Sequence, residues 1–528
     1  MTDPRALHQA LCGGEELALI DVREEGVFGQ GHILRAVNVP LSILELRFRD
    51  LVPRRSTSVV LCDGGEDGLA ARAATRLRAM GYAETAVLDG GAPAWAEAGF
   101  ELFSGINVPS KAFGEVVEYR FDTPRLEPGE VDAARHAGRK VAILDSRPFE
   151  EYAVMNIPGG IDMPGAELVH RVKTLVDDPE TLVVVNCAGR TRSIIGAQSL
   201  INAGLENRVV ALKDGTMGWH LAGLELERGG VRRGQDRVPD TDAARWGRAA
   251  AERVARRFGV ERIAPETLAR WQDERDRRTL YLLDVRQPAE FEAGHLPGSR
   301  NAPGGQLVQA TDRYVGTQNA RIVLVDDTET RALMTASWLV QMGWTEVAVL
   351  EGGLGRAPLE TGPAAASVPE LETARVERVE PDTLADLPDA VVVDLAPSLT
   401  FRAGHVPGAW WAIRARLAGE AGGLAGTGPL VLTSPDGRLA QLAAADLADE
   451  TARPVLALAG GTAAWAEAGH PVEDGIERTL SAVEDVFYRP YDRTDGVEEA
   501  MNAYLSWEVG LLHQIERDGT LTFPEFPE

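Results

Sequence analysis

Cysteine is nearly absent: Cys12, Cys62 and Cys187 are the only three in 528 residues. So few thiols in so long a chain exclude a disulfide framework, and they lack the spacing of a zinc site. Long apolar runs are missing as well, which excludes a membrane-spanning helix, and Met1-Thr2-Asp3-Pro4 has no secretory signal pattern. Positive charge is in short supply, with 54 Lys and Arg against 80 Asp and Glu and a formal net charge of -26. That balance argues against nucleic acid and anionic membrane as partners and favours solubility. A reducing, cytoplasmic location is the expectation. What remains is ordinary globular composition, 44% hydrophobic and 25% charged, in a chain too long for one core. Several domains are expected.

The scarce cysteines differ in their surroundings. Cys187 opens the stretch Cys187-Ala188-Gly189-Arg190-Thr191-Arg192. The apolar run 182–185 before it reads as a buried strand. Ser193-Ile194-Ile195-Gly196-Ala197 after it reads as a helix with Ile194, Ala197 and Ile201 on one face. A cysteine between a strand and a helix N-terminus lies among backbone N–H groups at the positive end of the macrodipole. Such a setting lowers a thiol pKa, and the thiolate is the nucleophile. Arg190 and Arg192 add two fixed charges suited to a small oxyanion. The loop amides of Ala188, Gly189, Thr191 and Ser193 are candidates to stabilise the sulfur anion. The pattern is that of an anion held against a reactive sulfur.

The chain also repeats itself four times. An apolar strand ends in Asp21-Val22-Arg23, Asp145-Ser146-Arg147, Asp284-Val285-Arg286 and Asp394-Leu395. A turn follows at Gly31-His32, Met155-Asn156, Gly294-His295 and Gly404-His405, and a further strand runs into a polar loop at Cys62, Cys187, Asp326 and Ser434. Each unit closes on Gly90-Gly91, Asp214-Gly215, Gly352-Gly353 or Gly460-Gly461. Trp95, Trp219 and Trp465 follow four residues after the closing glycine; the third copy has no tryptophan there, and its Arg356 falls one residue short of that position. Strands alternating with helical segments imply parallel sheets covered on both faces, with ligands outside the carboxyl ends of the strands. His32, His295 and His405 recur in units without a cysteine loop like that at Cys187, which favours a structural role for them. Met155-Asn156 in the second unit predicts a different local turn.

Taken together, these landmarks resemble the rhodanese family of sulfurtransferases. The resemblance covers 5–103, 127–228, 265–360 and 378–475, most of the chain. It implies an α/β fold of four tandem rhodanese-like domains, each a central mostly parallel sheet flanked by helices. It further implies that Cys187 carries a persulfide, taking sulfane sulfur from a small anionic donor such as thiosulfate. The acceptor would be cyanide or a thiol. No metal or organic cofactor is implied. Arg190 and Arg192 would hold the donor's anionic end, Arg147 would shape the site or bind substrate, and Asp145 would tie down loop backbone.

Only the second unit carries a complete loop. Cys62 is surrounded by Asp63, Glu66 and Asp67 with no arginine, which raises a thiol pKa and repels an anionic donor. Asp326 and Ser434 offer no sulfur nucleophile in the third and fourth units. A phosphatase or arsenate reductase on the related fold would need a loop one residue longer. Mercaptopyruvate enzymes resemble a Cys-Gly-x-Gly-x-Thr loop that this one does not follow. The competing reading is a persulfide carrier acting between protein partners. Residues 104–124 form a connector, and 229–262 hold an Arg-rich stretch of helical composition that packs between units. The tail, 483–528, carries Phe487, Tyr488, Tyr491, Tyr504, Trp507 and Leu511. It is read as a helix docking on the fold or at a homodimer interface, without chemistry of its own.

Overall fold

A computed structural model describes residues 1–65, 67–355, 358–364 and 367–526. Glu66 of the first loop, and Arg356 with Ala357 at the third unit's tryptophan position, lie outside the described residues. The first unit has strands Leu17–Asp21 (β1), Val37–Asn38 (β2), Ser58–Cys62 (β3) and Thr85–Val87 (β4), in the order β2-β1-β3-β4. The second has Arg125–Leu126 (β5), Val141–Asp145 (β6), Ile161–Asp162 (β7), Leu182–Asn186 (β8) and Val209–Leu212 (β9), ordered β5-β9-β8-β6-β7. Glu261–Ile263 (β10), Leu280–Asp284 (β11), Arg300–Asn301 (β12), Arg321–Val325 (β13) and Val347–Leu350 (β14) repeat that order in the third. The fourth repeats it with Glu377–Val379 (β15), Val391–Asp394 (β16), Trp410–Trp411 (β17), Leu430–Thr433 (β18) and Val455–Leu458 (β19). Every strand pair is parallel. In the first unit a single parallel bridge, Thr2 to Leu88, stands where the others have their fifth strand. Parallel strands buried on both faces need unbroken apolar runs, and Leu-Val-Val-Val-Asn of β8 is buried throughout.

The units pair in a nested way. Residues of the second and third, among them Val185, Leu200, Leu283 and Trp338, share one hydrophobic cluster. Residues of the first and fourth, among them Phe48, Tyr82, Phe401 and Trp411, share another. Between the second and third units, the helix Thr241–Arg257 packs on both Glu167–Arg171 and Thr330–Gln341, as the composition of 229–262 predicts. Arg331, 0% exposed, crosses this interface to Glu167 at 2.9 Å and also bonds Glu290 and Asp327, both at 2.7 Å.

The recurring landmarks are structural. Arg23, Arg147 and Arg286 each clamp the aspartate two residues before them and a carbonyl eight residues on. His32, His295 and His405 place Nδ1 against the carbonyl four residues back, at 3.1, 2.9 and 2.8 Å. Asn156 makes the equivalent bond with Nδ2 to Tyr152 O, and its backbone bridges Glu227 as His32 bridges Phe103. The different turn expected at Met155-Asn156 is therefore not found: an amide reaches the same acceptor as an imidazole. Gly215 has a φ of +56°, and a Cβ there would lie 2.4 Å from the Cys187 carbonyl oxygen and 2.5 Å from that of Gly189. Only glycine lets the closing helix sit this close to the cysteine loop.

Candidate functional site

Cys187 leaves β8 at its carboxyl end, and the helix Thr191–Asn202 begins four residues later. The thiol is 2% exposed and lies 3.6 Å from Ser193 Oγ. Ser193 donates its own proton to the Arg190 carbonyl at 2.7 Å, so its oxygen is free to accept from the thiol. Thr216 N–H and Met217 N–H pin the loop from below by donating to the Cys187 and Ala188 carbonyls at 2.8 and 2.9 Å. Among the described residues, none of the six N–H groups from Ala188 to Ser193 has a protein acceptor. Unpaired donors at a helix N-terminus suit an anion.

The other loops fill their own cradles. In the first unit, Asp63 accepts from the N–H groups of Gly65 at 2.9 Å and Ala70 at 2.8 Å. Asp67 takes those of Gly64 and Leu69 at 3.2 and 3.1 Å. Burial, Asp21, Asp63 and Asp67 push the Cys62 thiol well above its ordinary pKa, with Arg23 only partly opposing them. In the third unit Asp326 accepts from the Arg331 N–H at 3.1 Å, and in the fourth Ser434 accepts from the Ala440 N–H at 3.2 Å. Among the described residues, four N–H groups after Cys62 are taken by its neighbouring carboxylates and none of the six after Cys187 is.

Cys187 lines a polar cavity of ≈ 140 Å³. Arg192 reaches its wall, bonded to Glu151 at 2.8 and 3.1 Å and to Gln306 Oε1 of the third unit at 3.2 Å. Burial would raise the Glu151 carboxyl, but Arg192, and after it Arg489, hold it down to about 2. Arg190 turns away toward the connector helix Val108–Phe121. There it bonds Glu115 at 2.7 and 2.8 Å, Glu118, and Asp214 at 3.2 Å. Its charge is thus matched by three carboxylates. Arg147 is buried against Asp145 and the Met155 carbonyl and does not line the cavity. Thr191 Oγ1 lies 3.5 Å from Glu508 Oε1, while Ala188 and Gly189 form the floor.

Much of the cavity wall comes from outside the second unit. The connector helix supplies Lys111. The tail supplies Arg489, Tyr491, Tyr504 and Glu508. The terminal helix, Val497–Asp518, packs on the connector helix, and its Leu511 and Ile515 join Val108 and Ala112 in a small core. Lys111 is buried, hydrogen-bonded to Tyr504 Oη and 3.5 Å from Glu508. Burial lowers its pKa, with Glu508 opposing the shift. Arg489 Nη1 donates to Tyr491 Oη at 3.0 Å and stands 3.6 Å from Glu151. The tail, read from sequence as inert, closes the cavity over the thiol. Its run of aromatics marked a docking segment, but nothing in their spacing pointed to Cys187.

The family model for the Rhodanese-like domain matches residues 3–98, 127–222 and 264–356, more than half of the chain. The fourth unit, outside those matches, has the same strand order. A crystal structure of a thiosulfate sulfurtransferase from Pseudomonas aeruginosa is 49% identical and superimposes with a TM-score of 0.94, covering 100% of this chain and 99% of that one. A sulfurtransferase of Allochromatium vinosum is 29% identical over 100 residues, 19% of this chain and 91% of that protein. An HTH-type transcriptional regulator of Mycobacterium tuberculosis is 37% identical over 95 residues, 18% of this chain. The match spans 41% of that regulator's length.

Proposed function

The chain belongs to the rhodanese-like family, and from that premise we propose that this sulfurtransferase moves a sulfane sulfur from thiosulfate, or a related persulfide donor, to a thiophilic acceptor. The observation that carries the reading is the run of unpaired amides after Cys187, set against the first unit, where Asp63 and Asp67 take four N–H groups of the loop and helix start. The Cys187 thiolate attacks the outer sulfur of thiosulfate, the S–S bond breaks, and sulfite leaves with the bonding pair. Cys187 is left as a persulfide anion, to which the amides from Ala188 to Ser193 donate as they would to the incoming donor. An acceptor such as cyanide then attacks the outer sulfur, thiocyanate departs and the thiolate returns. Arg192, fixed by Glu151 and Gln306, presents a cation to the donor's sulfonate end. The small cavity, ≈ 140 Å³, supports low-molecular-weight substrates.

Intact-protein mass after brief exposure to thiosulfate tests this. Wild type should gain one sulfur and lose it to cyanide with thiocyanate release, and Cys187→Ser should gain none. Uptake in the Cys187→Ser variant, or none in wild type, would refute the assignment.

A further inference from the structure

We propose that Arg489, in the tail, is the second cation of the donor site and sets a preference for doubly charged donors; this rests on the sulfur-transfer reading above. Several charged side chains line the cavity, and most are already neutralised. Arg190 is matched by Glu115, Glu118 and Asp214. Lys111 is matched by Glu508, and Arg313 by Glu25 at 2.9 Å. Two guanidinium groups remain, Arg192 and Arg489, with a single carboxylate between them: Glu151 lies 2.8 Å from the first and 3.6 Å from the second. One positive charge is therefore in surplus among these three side chains, all of which line the cavity with Cys187. Arg489 is also the less committed of the two. Its one side-chain hydrogen bond among the described residues goes to the neutral hydroxyl of Tyr491. Four further N–H donors of a guanidinium stay available for a planar face of sulfonate oxygens.

Geometry favours the same residue. Arg489 heads a short 3-10 turn, Pro490–Asp492, whose Asp492 carboxylate accepts from the Arg489 backbone N–H at 3.0 Å, so the chain presents the side chain from a fixed anchor. The loop amides would face the sulfur end of the donor and Arg192 with Arg489 its sulfonate end. A dianion needs both arginines; a monoanionic thiosulfonate, with one charge and an organic group in place of one oxygen, needs them less.

The test is steady-state kinetics with cyanide as acceptor, comparing thiosulfate and benzenethiosulfonate as donors for wild type, Arg489→Gln and Arg489→Lys. Loss of one charge-assisted contact predicts a rise in KM for thiosulfate of about tenfold or more in Arg489→Gln. The rise for benzenethiosulfonate should be smaller, and Arg489→Lys should fall between. Equal KM values for wild type and Arg489→Gln, or equal losses on both donors, would overturn the proposal. Should Arg489→Gln fail to fold, Arg489→Met decides in its place, since it removes the same charge at similar length; an unchanged donor preference would then overturn the proposal. Wild type that takes no sulfur from thiosulfate would refute the sulfur-transfer reading itself, a result distinct from any of these.

Discussion

Placing an aspartate at Ala188 should close the live site in the way the first unit closes its own. Asp63 follows Cys62 directly, as Ala188 follows Cys187, and its carboxylate takes two loop N–H groups at 2.9 and 2.8 Å. A hydrogen bond to a charged group is worth about 1.5–3 kcal/mol, so two such bonds hold the carboxylate in the cradle by about 3–6 kcal/mol. A donor anion must displace it, and at about 1.4 kcal/mol per factor of ten this weakens donor use by roughly 10²–10⁴. Like-charge repulsion adds to the loss. The assay is the rate of sulfur uptake by Cys187 at low thiosulfate, read by intact mass. Ala188→Asn controls for bulk, having the same shape without the charge, and should lose far less. If folded Ala188→Asp protein took up sulfur within about tenfold of wild type, or if Ala188→Asn lost as much, a carboxylate seated on the loop N–H groups would not be what bars a donor anion.

Three further outcomes are expected. Replacing Cys62 by Ser should leave thiosulfate:cyanide turnover nearly intact, and a variant as inactive as Cys187→Ser would show that sulfur passes through both. Replacing Arg331 by Ala leaves buried Asp326 without its guanidinium and buried Glu167 with Arg171 as its one remaining cation, at the interface of the second and third units. The cost should be about 3–5 kcal/mol in urea unfolding, and a loss under about 1 kcal/mol would refute the weight given to that network. Asp162 in β7 is raised to about 8, first by burial and then by Asp145. The folded state keeps this proton to higher pH than the unfolded chain, so wild-type stability should fall as pH climbs from about 4 toward 8. Asp162→Asn should flatten that decline and exceed wild type at the alkaline end; a slope equal to wild type in denaturant midpoints would contradict it.

Legibility in the sequence followed the range of the interaction. The loop at Cys187 and the four-fold repeat could be read because backbone rules fix them locally: a strand, an amide-rich turn and a helix within about twenty residues. The second glycine of each closing motif could be found but not explained, since its reason is a carbonyl of the cysteine loop pressed against the same unit's next helix. Arg190 and Arg192 looked equivalent as neighbours. Tertiary packing separates them, sending Arg190 to the carboxylates of the connector helix and Arg192 to the cavity wall. Lys111, Arg489, Tyr504 and Glu508 were out of reach because no spacing rule ties a residue of the connector or tail to a loop in the middle of the chain.

The nested pairing also sets an order in time. Translation delivers the first unit with Phe48, Leu61 and Tyr82 on a face whose partners, Phe401, Trp411 and Trp465, belong to the fourth. At about 5–20 residues per second, that face waits on the order of tens of seconds for its cover. The second and third units, adjacent in sequence, can dock while it waits. Arg489, Tyr504 and Glu508 leave the ribosome later still, so the pocket at Cys187 is walled only after all four units have been made. On the sulfur-transfer reading proposed above, a nascent chain would carry its nucleophile open to any disulfide or electrophile it meets, and become selective only once the tail has docked.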